Sequence, residues 1–154
     1  MDETTLIARS RTGDLEAYDH LVGAYQDRIY HVAFRITGNR EDAWDAAQDA
    51  FVRAFQGLRS FRGQAGWGTW LHRIAVNAAL DIVRRRPRAA AGLDPLWAAP
   101  DDPAAEAARR DVQRRVHAAI AALPPEQRAA VVLRDIAGCA YDEIARILHV
   151  PPGT

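Results

Sequence analysis

Trp70, Arg73, Asn77 and Arg84 recur at i, i+3, i+7 and i+14, which sets an aromatic ring, an amide and two guanidinium groups along one side of a helix. These are the groups that unstacked DNA requires. The indole offers a base a stacking surface, the amide pairs with a base edge, and arginine neutralises phosphate. Arg85, Arg86 and Arg88 carry the charge onward, while Arg59 and Arg62 precede it. Just upstream, Phe61-Arg62-Gly63-Gln64-Ala65-Gly66-Trp67-Gly68 joins three glycines to two aromatics, a loop whose backbone can wrap closely round an extruded base. A core tryptophan with a solvated helix end would share this pattern, so the alternative stays open.

A second face has the opposite character. Asp42, Asp45, Asp49 and Val52 fall at i, i+3, i+7 and i+10, with Gln48 beside them. Acids around a small apolar centre suit a basic helical partner, by charge steering and modest burial. A solvated acidic face would look similar.

Other residue types lead nowhere comparable. The histidines at 20, 31, 72, 117 and 149 lack metal-ligand spacing. Cys139 stands alone, which excludes an internal disulfide and any multi-cysteine zinc site. Gly63-x-x-Gly66-x-Gly68 is followed by no Gly-Lys-Ser/Thr, so it is not a phosphate-cradling P-loop. No nucleophile–base pair emerges. Neither a cofactor nor a metal is expected, and the chain is not expected to be an enzyme.

Charge supports a polarised molecule. The 20 basic and 20 acidic residues cancel, and every basic residue is arginine. Yet residues 58–88 hold seven arginines against one aspartate, a local +6, while residues 1–57 hold six arginines against ten acids, a local −4. The local field, not the total, governs recognition of nucleic acid. An acidic, polar N-terminus and the lack of a long apolar run point to a cytoplasmic protein without membrane insertion.

The elements that must hold these faces are helical throughout. Thr12-Gly13-Asp14 breaks a short first helix, and Asp14 caps a long amphipathic one through Tyr18, Leu21, Tyr25, Ile29, Val32 and Ile36 to Gly38. Asn39 caps the next, with Asp42 as a partial capping box and Ala47, Phe51, Phe55 and Leu58 inward. Thr69 is the expected cap of a helix that Pro87 stops. Prolines at 87, 95, 100 and 103 mark a semi-extended linker. Helical pattern resumes near Asp111 with Val112, Val116, Ile120 and Leu123; Pro124-Pro125 starts another helix, and a last one runs from Tyr141 to His149. The expected fold is all-α: a first domain over 1–86, a flexible linker over 87–110, and a small second domain over 111–154. Halves this small have thin cores, so a partner is expected to add buried surface.

The stretch from Gly138 to Thr154 reads as the first half of a helix-turn-helix, with Val150 plugging the turn and Thr154 placed to cap a recognition helix that is expected to be missing. In sum the chain resembles sigma factors of the extracytoplasmic-function type. Asp42-Ala43-Trp44-Asp45-Ala46-Ala47-Gln48-Asp49-Ala50-Phe51-Val52-Arg53-Ala54-Phe55 is similar to their polymerase-binding motif, and Trp70-Leu71-His72-Arg73-Ile74-Ala75-Val76-Asn77-Ala78-Ala79-Leu80-Asp81-Ile82-Val83-Arg84-Arg85-Arg86 to their Trp-Leu-x-x-Ile-Ala-x-Asn-x-x-x-Asp-x-x-Arg segment. Leu123-Pro124-Pro125-Glu126-Gln127-Arg128 resembles the opening of their fourth region.

The resemblance implies that Asp42, Asp45, Gln48, Asp49 and Val52 meet the coiled coil of the largest subunit of core RNA polymerase. It implies that Arg59, Phe61, Arg62, Trp67, Trp70, Arg73, Asn77, Arg84 and Arg85 read and hold the opened −10 element of promoter DNA. The second domain would meet the polymerase flap and the −35 element, the latter impaired without a recognition helix, and an anti-sigma factor would hold the protein inactive. Three residues depart from the motif: Trp44 replaces an acid, Ala46 and Ala47 replace larger aliphatics, and His149 replaces a helix-ending glycine. A helix-turn-helix regulator of duplex DNA and a regulatory interaction module are the alternatives.

Overall fold

The computed structural model describes residues 1–85, 103–135 and 138–151. Among these residues seven helices follow in order: α1 (Glu3–Arg11), α2 (Leu15–Thr37), α3 (Arg40–Gly57), α4 (Trp67–Arg85), α5 (Pro103–Ala122), α6 (Pro125–Asp135) and α7 (Tyr141–Leu148). A single 3₁₀ turn, Leu58–Ser60, leads from α3 towards α4. There is no strand among the described residues.

Local chemistry sets most helix boundaries. Asp14 accepts a hydrogen bond from the Ala17 amide at 3.1 Å, and Asn39 one from the Asp42 amide at 3.0 Å. Each satisfies an N-terminal donor that the helix itself leaves without a partner. Gly38 ends α2 in the left-handed region at φ 69°, where a side chain would be strained. His149 ends α7 in the same region at φ 56°, the one non-glycine residue so placed among those described. A side chain in that region, where the family motif has glycine, carries a backbone cost of about 1 kcal/mol.

In the first domain α2, α3 and α4 pack mutually, with α1 laid along α2. The inward stripe of α3 is alanine: Ala43, Ala46, Ala47, Ala50 and Ala54 are all buried, whereas Phe51 and Phe55 are only half-buried. Small side chains let α2 and α4 approach closely. Gly68 serves the same end, since a Cβ there would lie 3.1 Å from the Tyr25 ring. The bulk of the core comes instead from Leu21, Ile29, Val32, Phe34, Ile36, Leu71 and Leu80.

The second domain departs from expectation in three respects. Helix α5 starts at Pro103, inside the stretch read as linker; the remainder of that stretch, 87–102, lies outside the described residues. Val112 and Val116, placed on its apolar stripe, are exposed. More consequentially, α6 packs against α2 and α4, so Ala129, Val132, Leu133 and Ile144 join the same buried cluster as the first domain. The extra surface that thin halves need is supplied here by each other.

Arg128 binds this junction. Its guanidinium donates to the carbonyls of Ala121 at 2.9 Å and Leu123 at 3.1 Å, and across the domains to that of Ile36. Glu126, two residues earlier, accepts from Arg84 of α4 at 2.9 Å.

Candidate nucleic-acid interface and partner-docking face

The Trp70 amide donates to the Gly66 carbonyl at 3.0 Å, so α4 begins at Trp67, two residues before the expected cap at Thr69. That shift draws Trp67 inward. It is 2% exposed, edge-on to Phe61 with centroids 5.7 Å apart, and Phe61 is buried as well. Both rings are enclosed in this structure, where the loop pattern had offered them to a base. Large rings gain most by burial, and these two fill the corner where the 3₁₀ turn meets α4. Trp70 covers them, tilted against Phe61 at 5.0 Å and Trp67 at 5.3 Å, and keeps part of its ring outside.

What remains accessible is narrower than the pattern implied. Arg59, Arg62, Gly63 and Gln64 are exposed. A cleft of about 370 Å³ opens beside them, with Arg62, Gln64, Trp70 and Arg73 on one side and Glu143 and Arg146 of α7 on the other. Asn77 is half-buried further along α4. Arg84 is exposed but bonded to Glu126, and that bond holds the Glu126 carboxyl below its ordinary range. Arg85, also exposed, donates through Nε to the Asp81 carbonyl at 3.2 Å. The basic face is thus open at its start and engaged by the second domain at its end. The separate apolar groove of about 640 Å³ lies between α6 and α7, floored by Ile144 and Leu148.

On α3, Asp42 is 4% exposed. It stands in the first turn, where a carboxylate favours the positive end of the helix dipole. Its side chain is therefore no part of an outward face, contrary to expectation. Asp45, Gln48 and Val52 do face solvent. Asp49 is partly committed: Arg53 bridges it at 2.8 Å and Asp81 of α4 at 3.3 Å. Trp44, which replaces an acid of the family motif, points outward beside these residues. Its four-residue step from Gln48 was the available signal.

His72, next to the aromatic corner, is buried with Nδ1 2.5 Å from the Gly68 carbonyl. Burial, and secondarily the charge of Arg28, hold its pKa below the ordinary 6.5. Burial and Arg35 do the same to His31. A base whose folded pKa is depressed takes its proton first in the unfolded state as pH falls. The native state is then favoured fully above about pH 6.5 and loses stability below it. The melting temperature should decline between about pH 7 and 5.5, before the carboxylates titrate, and less so in His72→Asn, which keeps a donor to Gly68. A pH series of melting curves with equal slopes for the two proteins would refute the assignment.

Among the described residues no group of three or more His, Cys, Asp or Glu is placed to hold a metal ion, and no helix is long and apolar enough to cross a membrane. Comparison with known proteins matches the family models Sigma-70 region 2 over residues 21–89 and Sigma-70, region 4 over residues 113–154. The chain is 41% identical over 151 residues to the ECF RNA polymerase sigma factor SigE of Mycolicibacterium smegmatis, covering 93% of this chain and 58% of that protein. It is 34% identical over 161 residues to the RNA polymerase sigma-H factor of Pseudomonas aeruginosa, covering 97% and 83% respectively. The solved structure of CnrH in complex with the cytosolic domain of CnrY is similar at a TM-score of 0.66 and 26% identity, over 96% of this chain and 82% of that one.

Proposed function

The chain belongs to the extracytoplasmic-function RNA polymerase sigma factors, and from that premise we propose that it directs promoter-specific initiation through two separate faces of one bundle. Asp45, Gln48, Asp49 and Val52 of α3 dock on the coiled coil of the largest subunit of core polymerase. Arg59, Arg62, Trp70, Arg73 and Asn77 hold the opened −10 strand, with Arg84 and Arg85 along the adjoining phosphates. Phe61 and Trp67 act beneath them, by supporting the ring of Trp70. Synthesis of RNA belongs to the polymerase. The second domain is assigned the polymerase flap and the −35 element. CnrH, of similar fold, has been solved with a protein partner, and an anti-sigma factor acting in the cytoplasm is part of this reading.

The observation that carries the proposal is the charge separation: exposed acids on α3 and exposed arginines around the start of α4, on helices that pack against each other. A duplex-only regulator or an interaction module has no need of both.

The test is Asn77→Ala in transcription with core polymerase. A lost contact between amide and base edge is worth about 1–3 kcal/mol, or roughly fivefold to a hundredfold. Output from duplex promoter should fall within that range, recover on a template already melted at −10, and leave polymerase binding unchanged. Equal output from duplex template by variant and parent would remove Asn77 from the interface.

A further inference from the structure

Trp44 is an indole that the bundle itself does not bury. It is 56% exposed and Val52 is 54% exposed, while the alanines on the opposite side of α3 are wholly enclosed. Trp44, Gln48 and Val52 follow one another at four-residue steps and form one stripe. Exposed Glu41 and Asp45 border it, and half-exposed Asp49 stands further along. The ring is not loosely hung. It lies edge-on to Tyr30 of α2 with centroids 6.4 Å apart at 62°, and Tyr30 stacks on buried Phe34 at 6.2 Å and 23°. A line of three rings therefore runs from the core to the surface and fixes where the outermost one stands.

An exposed apolar residue is by itself ordinary. A tryptophan with a supported ring, an aliphatic neighbour and a rim of one charge sign is the composition of an interface hot spot, where an aromatic anchor sits within a polar ring that excludes water. A pre-positioned ring also gives up little conformational freedom on binding. The acidic border selects a basic partner. Resting on the docking role given to α3 above, we propose that Trp44 is the apolar anchor of that face, seated between aliphatic side chains of a basic helical segment of core RNA polymerase, with Glu41 and Asp45 meeting its cations. Trp44 supplies affinity, and the acids supply orientation and rate of encounter.

The experiment measures association and dissociation of the full chain and core polymerase at low and moderate salt. The proteins compared are the parent, Trp44→Ala, Trp44→Phe and the double variant Asp45→Arg with Asp49→Arg. Trp44→Ala should weaken binding at least about 30-fold, chiefly by faster dissociation and by the same factor at both salt concentrations. Trp44→Phe should recover most of the loss. The charge reversal should instead slow association, with strong dependence on salt. Affinity of Trp44→Ala within twofold of the parent, alongside a weakened charge reversal, overturns the anchor and leaves the docking face standing. Both unchanged would overturn the docking face too. Loss of self-association or of binding to an inhibitory protein, with polymerase affinity intact, likewise overturns the proposal. Should Trp44→Ala fail to fold, Trp44→Gln gives the same reading with a polar chain suited to an exposed helical site.

Discussion

Alanine in place of Arg128 is expected to lower the melting temperature by roughly 6–12 °C, from a loss of about 3 kcal/mol at a few degrees per kcal/mol for a chain of this size. The reason is where its three bonds go. Ile36 lies in the last turn of α2, Ala121 in the last turn of α5, and Leu123 just beyond. The final carbonyls of a helix have no partner within it, and they form the negative end of its dipole. One guanidinium thus caps two helix ends at once, one from each domain. Removing it strands three acceptors in a half-buried junction; water reaching some of them keeps the cost below the sum of three charge-assisted bonds. Lysine should restore only part, because a point charge cannot span three divergent acceptors. Melting followed by far-UV circular dichroism checks the magnitude, and amide exchange checks the place: α6 should lose protection before α3. A shift under about 2 °C would show that the junction does not depend on this residue.

Trp67→Ala is expected to cost more, about 3–5 kcal/mol, as large-to-small changes in a closed core do. Against a total of about 5–15 kcal/mol this brings the first domain close to unfolding at ambient temperature. Trp67 is the largest of the fully buried side chains, and it supports both Phe61 and Trp70. The informative partner is Trp67→Phe. The indole Nε1 is buried without a hydrogen-bond acceptor, and a donor in that condition costs about 1–3 kcal/mol. Phenylalanine removes that penalty along with some packing, so the net change should be within about 1 kcal/mol. Urea midpoints separate the two cases. A Trp67→Ala midpoint close to that of the parent would mean the corner repacks freely.

Much of this architecture could be read from local chemistry. Asp14, Asn39, Gly38 and Pro125 mark helix ends because capping involves only residues within one turn, and those predictions hold. The start of α4 was misplaced because Thr69 has the right side chain for a cap, whereas the helix is initiated by the Gly66 carbonyl, which carries no sequence signature. Periodicity located the faces of α3 and α4 but not their edges. It grouped Asp42 with Asp45 although Asp42 is buried, and it offered Phe61 and Trp67 to solvent although both fill the junction of the 3₁₀ turn with α4. Arg128 was illegible for the same reason: two of its acceptors are nearby in sequence, but Ile36 is 92 residues away. Burial at element junctions is a tertiary property, and composition alone does not report it.

The contact of α6 with the distal part of α4 ties two equilibria together. If a strand is to run the whole length of α4, the Arg84–Glu126 bond must part first, and only the fraction of molecules already parted is competent. Apparent affinity for the strand is then the intrinsic affinity diluted by that fraction, about 1.4 kcal/mol for each tenfold scarcity. Linkage makes the relation mutual: whatever draws α6 away strengthens the grip on the strand by the same factor with which the strand favours its departure.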